Sequence, residues 1–289
     1  MTVPTPTYTD GDWGYDTFTE NGTTYARVVA YSGAGISDGT ITIPSTLGGY
    51  TVKEIGKGGS QESIFNNSAV AVRTHLGPLP NTVTKINAYA FYSSMRVYIN
   101  NILPPNLETI GDYAFYNGQL CTGDLVIPDS VTAIGQYAFQ GGSYSSITIS
   151  KNITSIGQYA FSWCASVTSL TFRSISAPTM ATACFGLNTE MPSSTTKTYP
   201  VYSPGNWAQS ALTSYGTYAN SKTAFSYTAT PVYEHLTYNT NKIQVDSAIR
   251  DEDGVKISTN YAKKSELPNI TISSSDPSGG SDGDIWIQY

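Results

Sequence analysis

Charge is scarce in this 289-residue chain: Asp, Glu, Lys and Arg make up 12% of it, 15 basic residues stand against 21 acidic ones, and the net charge is -6. No cluster of Lys and Arg exists to neutralise a row of phosphates, so nucleic acid is excluded as a partner. Histidine is scarcer still, with 2 in the chain. His75 and His235 each sit apart from any Cys or His, which leaves neither metal chelation nor a His-based triad with the partners it needs. The 3 cysteines, Cys121, Cys164 and Cys184, are odd in number and follow no metal-ligand or C-x-x-C spacing. Cys164 and Cys184 read as small core residues, and folding in a reducing compartment is expected. No apolar run approaches the roughly 20 residues of a membrane span, so membrane insertion is not expected. The opening MTVPTPTYTDGDWGYD lacks a positive segment followed by an apolar one and does not read as a secretory signal. No cofactor is implied.

What is abundant is tyrosine, at 22 residues against 9 Phe and 4 Trp, together with 26 Gly and 15 Pro. That profile favours strands and turns over helices. The chain also repeats itself. The segments TKINAYAF, ETIGDYAF, TAIGQYAF and TSIGQYAF place Ile86, Ile110, Ile134 and Ile156 at spacings of 24, 24 and 22 residues. Tyr89, Tyr113, Tyr137 and Tyr159 keep the same spacings, as do Phe91, Phe115, Phe139 and Phe161. A weaker copy precedes them, with Ile55 and Phe65, and a degenerate one follows and ends in Phe185. Such a period is the signature of a solenoid, whose terminal units are expected to be atypical.

Upstream of these Ile residues lie short alternating runs: ITIP at 41–44, VYIN at 97–100, LVIP at 125–128, ITIS at 147–150 and LTF at 170–172. Alternation over so few residues predicts brief strands. Ile41 and Ile43, Val97 and Ile99, Leu125 and Ile127, Ile147 and Ile149, and Leu170 and Phe172 are expected to point inward. Thr42, Tyr98, Val126, Thr148 and Thr171, which lie between them, are expected to form an outward stripe. Pro44, Pro104, Pro105 and Pro128 end strands by removing an amide donor. Gly56, Gly111, Gly135 and Gly157 suit a turn that needs positive φ or close backbone approach, and Asn87, which tolerates the left-handed region, takes that place once. The Phe and Tyr of the Y-A-F triplets read as core and ladder residues.

The unit seen as LVIPDSVTAIGQYAF resembles the BspA-type leucine-rich repeat family. ARVVAYSGAGISDGTITIPSTLGGYTVKEIG is similar to the capping opening of such arrays. APTMATACFGLNTE through VYSPGNWAQSALTSYGTYAN is similar to their closing element of a strand, a Pro-Gly turn and a short helix. The resemblance spans about residues 13–230. It implies a mainly β fold, a leucine-rich-repeat solenoid of short strands and turns with capping ends, used for adhesion or binding and carrying no catalytic residues. The organisation read from the sequence is an N-terminal cap and first strand over 1–50, repeats over 51–188, a C-terminal cap over 189–235, and a polar tail over 236–289 for oligomerisation or attachment.

In that tail, Ser273 to Gly283 reads as a turn or flexible linker. Ile285, Trp286, Ile287 and Tyr289 alternate as a terminal strand would, and pairing within the chain or within an oligomer is expected. RDEDGVKISTNYAKKSEL and SDGDIWIQY resemble segments of phage and prophage fibre or minor structural proteins. That resemblance implies a virion protein of tail or head fibre type, assembled in the host cytoplasm, alongside other virion proteins and with a homotrimer as the usual fibre state. The alternative is a bacterial surface adhesin or interaction module; a carbohydrate-active enzyme ranks last.

Chemistry has little to build on. Asp251, Glu252, Asp253 and Gly254 place the glycine fourth, where a calcium loop of the EF-hand type needs it sixth. Asp276, Asp282 and Asp284 read as turn formers. Glu54, Glu108, Asp112, Asp124 and Asp129 fall on separate coils, away from the roughly 5–10 Å pairing that glycoside cleavage requires. Asn21, Asn66, Asn152 and Asn269 satisfy the glycosylation pattern without a secretory route to use it. Binding has a better basis. Tyr92, Tyr98, Tyr116, Tyr144 and Trp163 fall on expected strand or turn surfaces, with Tyr98 leaning outward and Trp163, next to Cys164, leaning inward. Tyr92, Tyr98, Tyr116 and Tyr144 are the candidate contacts for a host cell-surface protein or glycan, by stacking on sugars or packing on protein.

Overall fold

A computed structural model describes residues 3–34, 39–59, 62–65, 74–94, 97–99, 103–117, 122–186, 197–203, 207–212, 223–229, 236–239, 242–245, 270–273 and 285–288. Each repeat folds into one coil with two short strands and a tight turn, and successive coils stack in parallel register. On one side, Tyr50–Ile55, Lys85–Ile86, Thr109–Ile110, Ala133–Ile134, Ser155–Ile156 and Thr179–Met180 form a continuous parallel ladder. It pairs Ile55 with Ile86, Ile86 with Ile110, Ile110 with Ile134, Ile134 with Ile156 and Ile156 with Met180. The sequence pattern marks Ile55, Ile86, Ile110, Ile134 and Ile156 as repeating positions; the structure adds Met180, and shows that from Ile86 onward each is the end of a two-residue strand of its own.

The alternating runs supply the other strand of each coil. Thr40–Ile41, Thr74–Leu76 and Val97–Ile99 form one parallel sheet; Thr122–Val126, Ser143–Ile149, Ser169–Phe172, Lys197–Ser203 and Thr223–Ala229 form a second sheet whose first four strands run parallel. Ile41, Ile43, Leu125, Ile127, Ile147, Ile149, Leu170 and Phe172 are all buried, as the alternation requires. Thr42 and Val126 are exposed, Val126 at 48%, while Thr148 and Thr171 are half-buried. Val97 and Ile99 lie opposite Thr74 and Leu76 in register, and Tyr98 opposite His75; their side chains lie outside the described residues. The strand Thr74–Leu76 has no counterpart in the sequence reading, because T-H-L offers too short an apolar alternation to stand out.

The third side of each coil is the Y-A-F turn, held to its neighbour by main-chain bonds. Tyr89 N donates to Asp112 O at 2.9 Å and Phe91 N to Ala114 O at 2.8 Å; one coil on, Tyr113 N donates to Gln136 O at 2.8 Å and Phe115 N to Ala138 O at 2.7 Å. Among the described residues, successive turns thereby pair their backbone groups with those of the next coil, which lets non-helical chain be buried. Inside, the Phe side chains form one stacked column. Ring centroids are 5.1 Å apart for Phe91–Phe115 and Phe115–Phe139, 5.2 Å for Phe139–Phe161 and 5.0 Å for Phe161–Phe185. Phe65 joins it at 6.2 Å from Phe91, so both the weak first copy and the degenerate last one are true coils.

Of the two uses expected for the turn glycines, close approach is the one found at Gly111, Gly135 and Gly157, since a Cβ there would lie 2.5, 2.5 and 2.4 Å from the backbone of the preceding coil. Their amides donate to Ile86 O, Ile110 O and Ile134 O at 2.8 Å. Gly56 alone of the four combines a left-handed φ of 86° with a tight neighbour, Ala90. The expectation that Asn87 uses the left-handed region is corrected, because its φ is not positive. Its buried amide donates to Glu54 Oε2 at 2.9 Å and Gly56 O at 2.8 Å, while Glu54 accepts from Arg27 Nε at 2.6 Å. Asn stands there to satisfy a polar group at the first coil boundary.

The ends are closed by other means. Trp13–Glu20 and Thr23–Tyr31 form an antiparallel hairpin with Asn21 in its turn, and Trp13 packs on Tyr31 at 4.6 Å and on Phe65 at 6.3 Å. At the far end Trp207, opening the short helix Trp207–Ala211, meets Phe172 edge-on at 4.9 Å and donates to Ser174 O at 3.1 Å. The chain divides into two units, residues 1–228 and 229–289. In the second, Leu236–Asn239 pairs with Lys242–Val245, and Ile285–Gln288 pairs in parallel with Ile270–Ser273. The terminal alternation thus finds an internal partner. No helix among the described residues is long and apolar enough to cross a membrane.

Candidate functional site

The carboxylates singled out from the sequence tie coils together. Asp112 accepts from Gln136 N at 2.8 Å and Gln136 Nε2 at 3.2 Å, Asp124 accepts from Ser146 Oγ at 2.7 Å, and Asp129 accepts from Lys151 N at 3.1 Å and pairs with Arg173 at 2.9 Å. Asn152 donates to Asp129 O at 2.8 Å. Glu108 is exposed, on the same coil as Asp112. Cys164 and Cys184 are both buried and free, and burial pushes the Cys184 thiol up to about 12, so it stays protonated and unreactive at neutral pH. His75 is an exposed residue of the strand Thr74–Leu76. Among the described residues no three Asp, Glu, His or Cys gather as a metal site would require. Cys121, His235, Asn66, Asn269, Asp251, Glu252, Asp253, Asp276, Asp282 and Asp284 lie outside the described residues.

The distinctive surface is the Y-A-F turn. Its first Tyr is left-handed in every full copy, with φ of 60° at Tyr89, 55° at Tyr113, 55° at Tyr137 and 57° at Tyr159. Non-glycine residues adopt this region at a cost of roughly 1 kcal/mol or more; here the ring stack offsets it. Tyr89–Tyr113, Tyr113–Tyr137 and Tyr137–Tyr159 stack at centroid separations of 4.8, 4.7 and 4.8 Å. Beside this column runs a shorter one, Tyr92 on Tyr116 at 4.9 Å with rings 9° from parallel. All six are half-buried. These tyrosines are therefore not core residues like the Phe column. The inner rings Tyr113 and Tyr137 are stacked on both faces, so the surface these two show is ring edges and phenol hydroxyls.

Of the four candidate contacts, Tyr92 and Tyr116 are brought together, and Tyr98 has no described side chain. Tyr144 is corrected: it is 1% exposed and packs edge-on against Phe139 at 6.0 Å. Counting back from Ile147 by twos puts Tyr144 outside. A register shift between Gly123 and Asp124, however, inserts an extra residue into Ser143–Ile149 and resets the alternation. Trp163 is the opposite case, 57% exposed where its neighbour Cys164 suggested an inward position.

Desolvation at the turn, followed by the neighbouring phenols, holds Tyr92 and Tyr137 above the ordinary phenol value, and Tyr113 likewise, with Asp112 adding to its shift. They remain hydrogen-bond donors well into alkaline solution. The unfolded chain releases these protons first, so stability should hold below about pH 10 and fall as pH rises through the folded values. A titration followed by phenolate absorbance should show a group of tyrosines with midpoints above 10; a single unshifted midpoint would contradict the half-buried ladder.

Residues 61–191 match the model of the BspA type leucine rich repeat region, in six copies. Curated proteins gave no match. Among solved structures the chain is similar to a leucine-rich repeat protein from Bacteroides ovatus, with 22% identity, 68% of this chain and 49% of that one covered, and a TM-score of 0.47. It is also similar to the T. pallidum leucine rich repeat protein, with 25% identity, 58% and 70% covered, and a TM-score of 0.44. A third is a leucine rich cell surface protein from Faecalibacterium prausnitzii, with 23% identity, 70% and 71% covered, and a TM-score of 0.33. The chain spans about half the length of the Bacteroides ovatus protein. Its fold is a mainly β leucine-rich-repeat solenoid, and the stretch that carries the repeat matches the BspA type.

Proposed function

We propose that this chain is a non-catalytic binding module that meets its partner through the tyrosine-lined turn face. One observation carries the reading: six tyrosines from four successive coils form two adjoining columns, Tyr89, Tyr113, Tyr137 and Tyr159 beside Tyr92 and Tyr116, on a half-buried surface. Rigid aromatic hydroxyls give contact area and hydrogen bonds at low entropic cost. The partner class is a cell-surface glycan or protein. Fluorescently labelled protein should be retained on a panel of bacterial envelopes. Tyr92→Ser with Tyr116→Ser should lower retention at least tenfold at unchanged circular dichroism. Thr148→Lys with Thr171→Lys, on the strand face, should leave it intact. Loss with the second pair and not the first would move the site to the strands.

For where the module is carried, the resemblance of RDEDGVKISTNYAKKSEL and SDGDIWIQY to phage fibre segments favours a virion, in a homotrimer with other virion proteins. Immunogold labelling of particles from a lysate tests this. Label confined to the envelopes of intact cells would favour the bacterial surface instead.

A further inference from the structure

Each Y-A-F turn contains a second left-handed position, four residues after the first. It is occupied by Ser93 at φ 49°, Asn117 at 54°, Gly141 at 75° and Trp163 at 65°. The four are equivalent by bonding as well as by spacing: Ser93 N donates to Tyr116 O, Asn117 N to Gln140 O, Gly141 N to Ser162 O and Trp163 N to Gly186 O. Ser, Asn and Gly are what this backbone asks for: small residues, or ones whose short polar side chain tolerates the left-handed region. A tryptophan is the least suited residue to such a place, and a bulky side chain with positive φ calls for a reason. Packing does not provide it, since Trp163 is the most exposed large hydrophobic among the described residues, at 57%. A strained backbone carrying an exposed aromatic is characteristic of a ligand contact.

We infer that Trp163 is the anchor of a subsite for a neutral sugar residue, with the indole face receiving the C–H face of the ring. This rests on the binding reading above and gives it a ligand class. The surroundings select the chemistry. In the coil below, the equivalent position is Gly141, which carries no side chain. The same turn face presents the Tyr137 and Tyr159 phenols and the amides of Asn117, Gln136 and Gln158. The one carboxylate of the described turns, Asp112, is engaged by Gln136. A charged ligand would find no counter-charge there, whereas a neutral sugar needs an apolar plate rimmed by uncharged donors and acceptors. Tyr113 and Tyr137, half-buried and stacked on both faces, cannot serve as the plate; Trp163, 57% exposed, can.

The test uses the full chain and hexasaccharides of glucose, galactose, mannose and N-acetylglucosamine, followed by calorimetry and tryptophan emission. At least one hexamer should bind. Trp163→Asn, which restores the residue type of the Asn117 coil, should weaken that binding at least tenfold while melting at the same temperature as the parent or a few degrees higher. Trp163→Phe should recover part of the affinity. The inference is overturned if no hexamer binds, if Trp163→Asn binds as tightly as the parent, or if Trp163→Asn melts several degrees lower, which would give Trp163 a structural role. Any of these with envelope retention still dependent on Tyr92 and Tyr116 would leave the binding reading standing; loss of that dependence would remove the reading itself.

Discussion

Ile134→Asp should lower the melting temperature of the repeat array by roughly 10–20 °C in a single transition. Ile134 is 3% exposed and lies between Ile110 and Ile156 in the parallel ladder. Removing its side chain forfeits about 2–3 kcal/mol of burial, and a carboxylate without a partner in that interior adds several more. A loss on the order of 5 kcal/mol corresponds to that shift for an array of this size. The fall should be cooperative because each coil buries its neighbours. Thr132→Asp, two residues earlier and exposed, should melt within a degree or two of the parent. Equal melting of parent and Ile134→Asp would refute the assignment of the inner face.

Gly135→Ala is the second large effect, and it separates two uses of glycine. The added methyl would lie 2.5 Å from Asp112 N and from the carbonyl carbon of Gly111, which are backbone atoms that cannot step aside. The coils must part locally, at a cost of about 2–3 kcal/mol or more. Gly141→Ala meets nothing closer than 3.6 Å and faces only the left-handed penalty of about 1 kcal/mol. Thermal melts of the two variants should therefore differ by several degrees, with Gly135→Ala lower. The reverse order would mean that conformation, not coil spacing, fixes Gly135.

These two positions also mark how far the sequence could be read. The 24-residue recurrence of Ile, Tyr and Phe exposes the coil, and alternation in LVIP and ITIS assigns inner and outer faces correctly wherever both can be compared. Strand position along the chain is local information, and a period of two carries it. The bulge that turns Tyr144 inward depends on pairing with Gly123 and Asp124 on another coil, so no pattern within 143–149 reveals it. The left-handed tyrosines escape for a related reason. Glycine is the residue that advertises positive φ, and the turn places glycine where space is short and tyrosine where the backbone is left-handed. Trp163 was legible in hindsight from register alone. Aligning it with Ser93, Asn117 and Gly141 shows a large residue where the repeat uses small ones, whereas adjacency to Cys164 points the wrong way.

The candidate contacts divide along the same line. Tyr92 and Tyr116 repeat with the coil, and the coil brings them together. A property that repeats is visible in one sequence; a property that depends on how a single coil departs from the others needs coordinates.

In-register stacking of the coils can be tested with paired cysteines on the outward positions of the ladder, in a parent whose Cys121 is replaced by Ser. Thr109 and Ala133 are register partners on adjacent parallel strands, whose spacing of about 4.8 Å lies within disulfide reach. Lys85 and Ala133 are two strands apart, at roughly 9.5 Å, beyond it. Mild oxidation should close an intramolecular disulfide in Thr109→Cys/Ala133→Cys and leave Lys85→Cys/Ala133→Cys as free thiols. A disulfide in the second protein, or its absence from the first, would contradict the stacked solenoid.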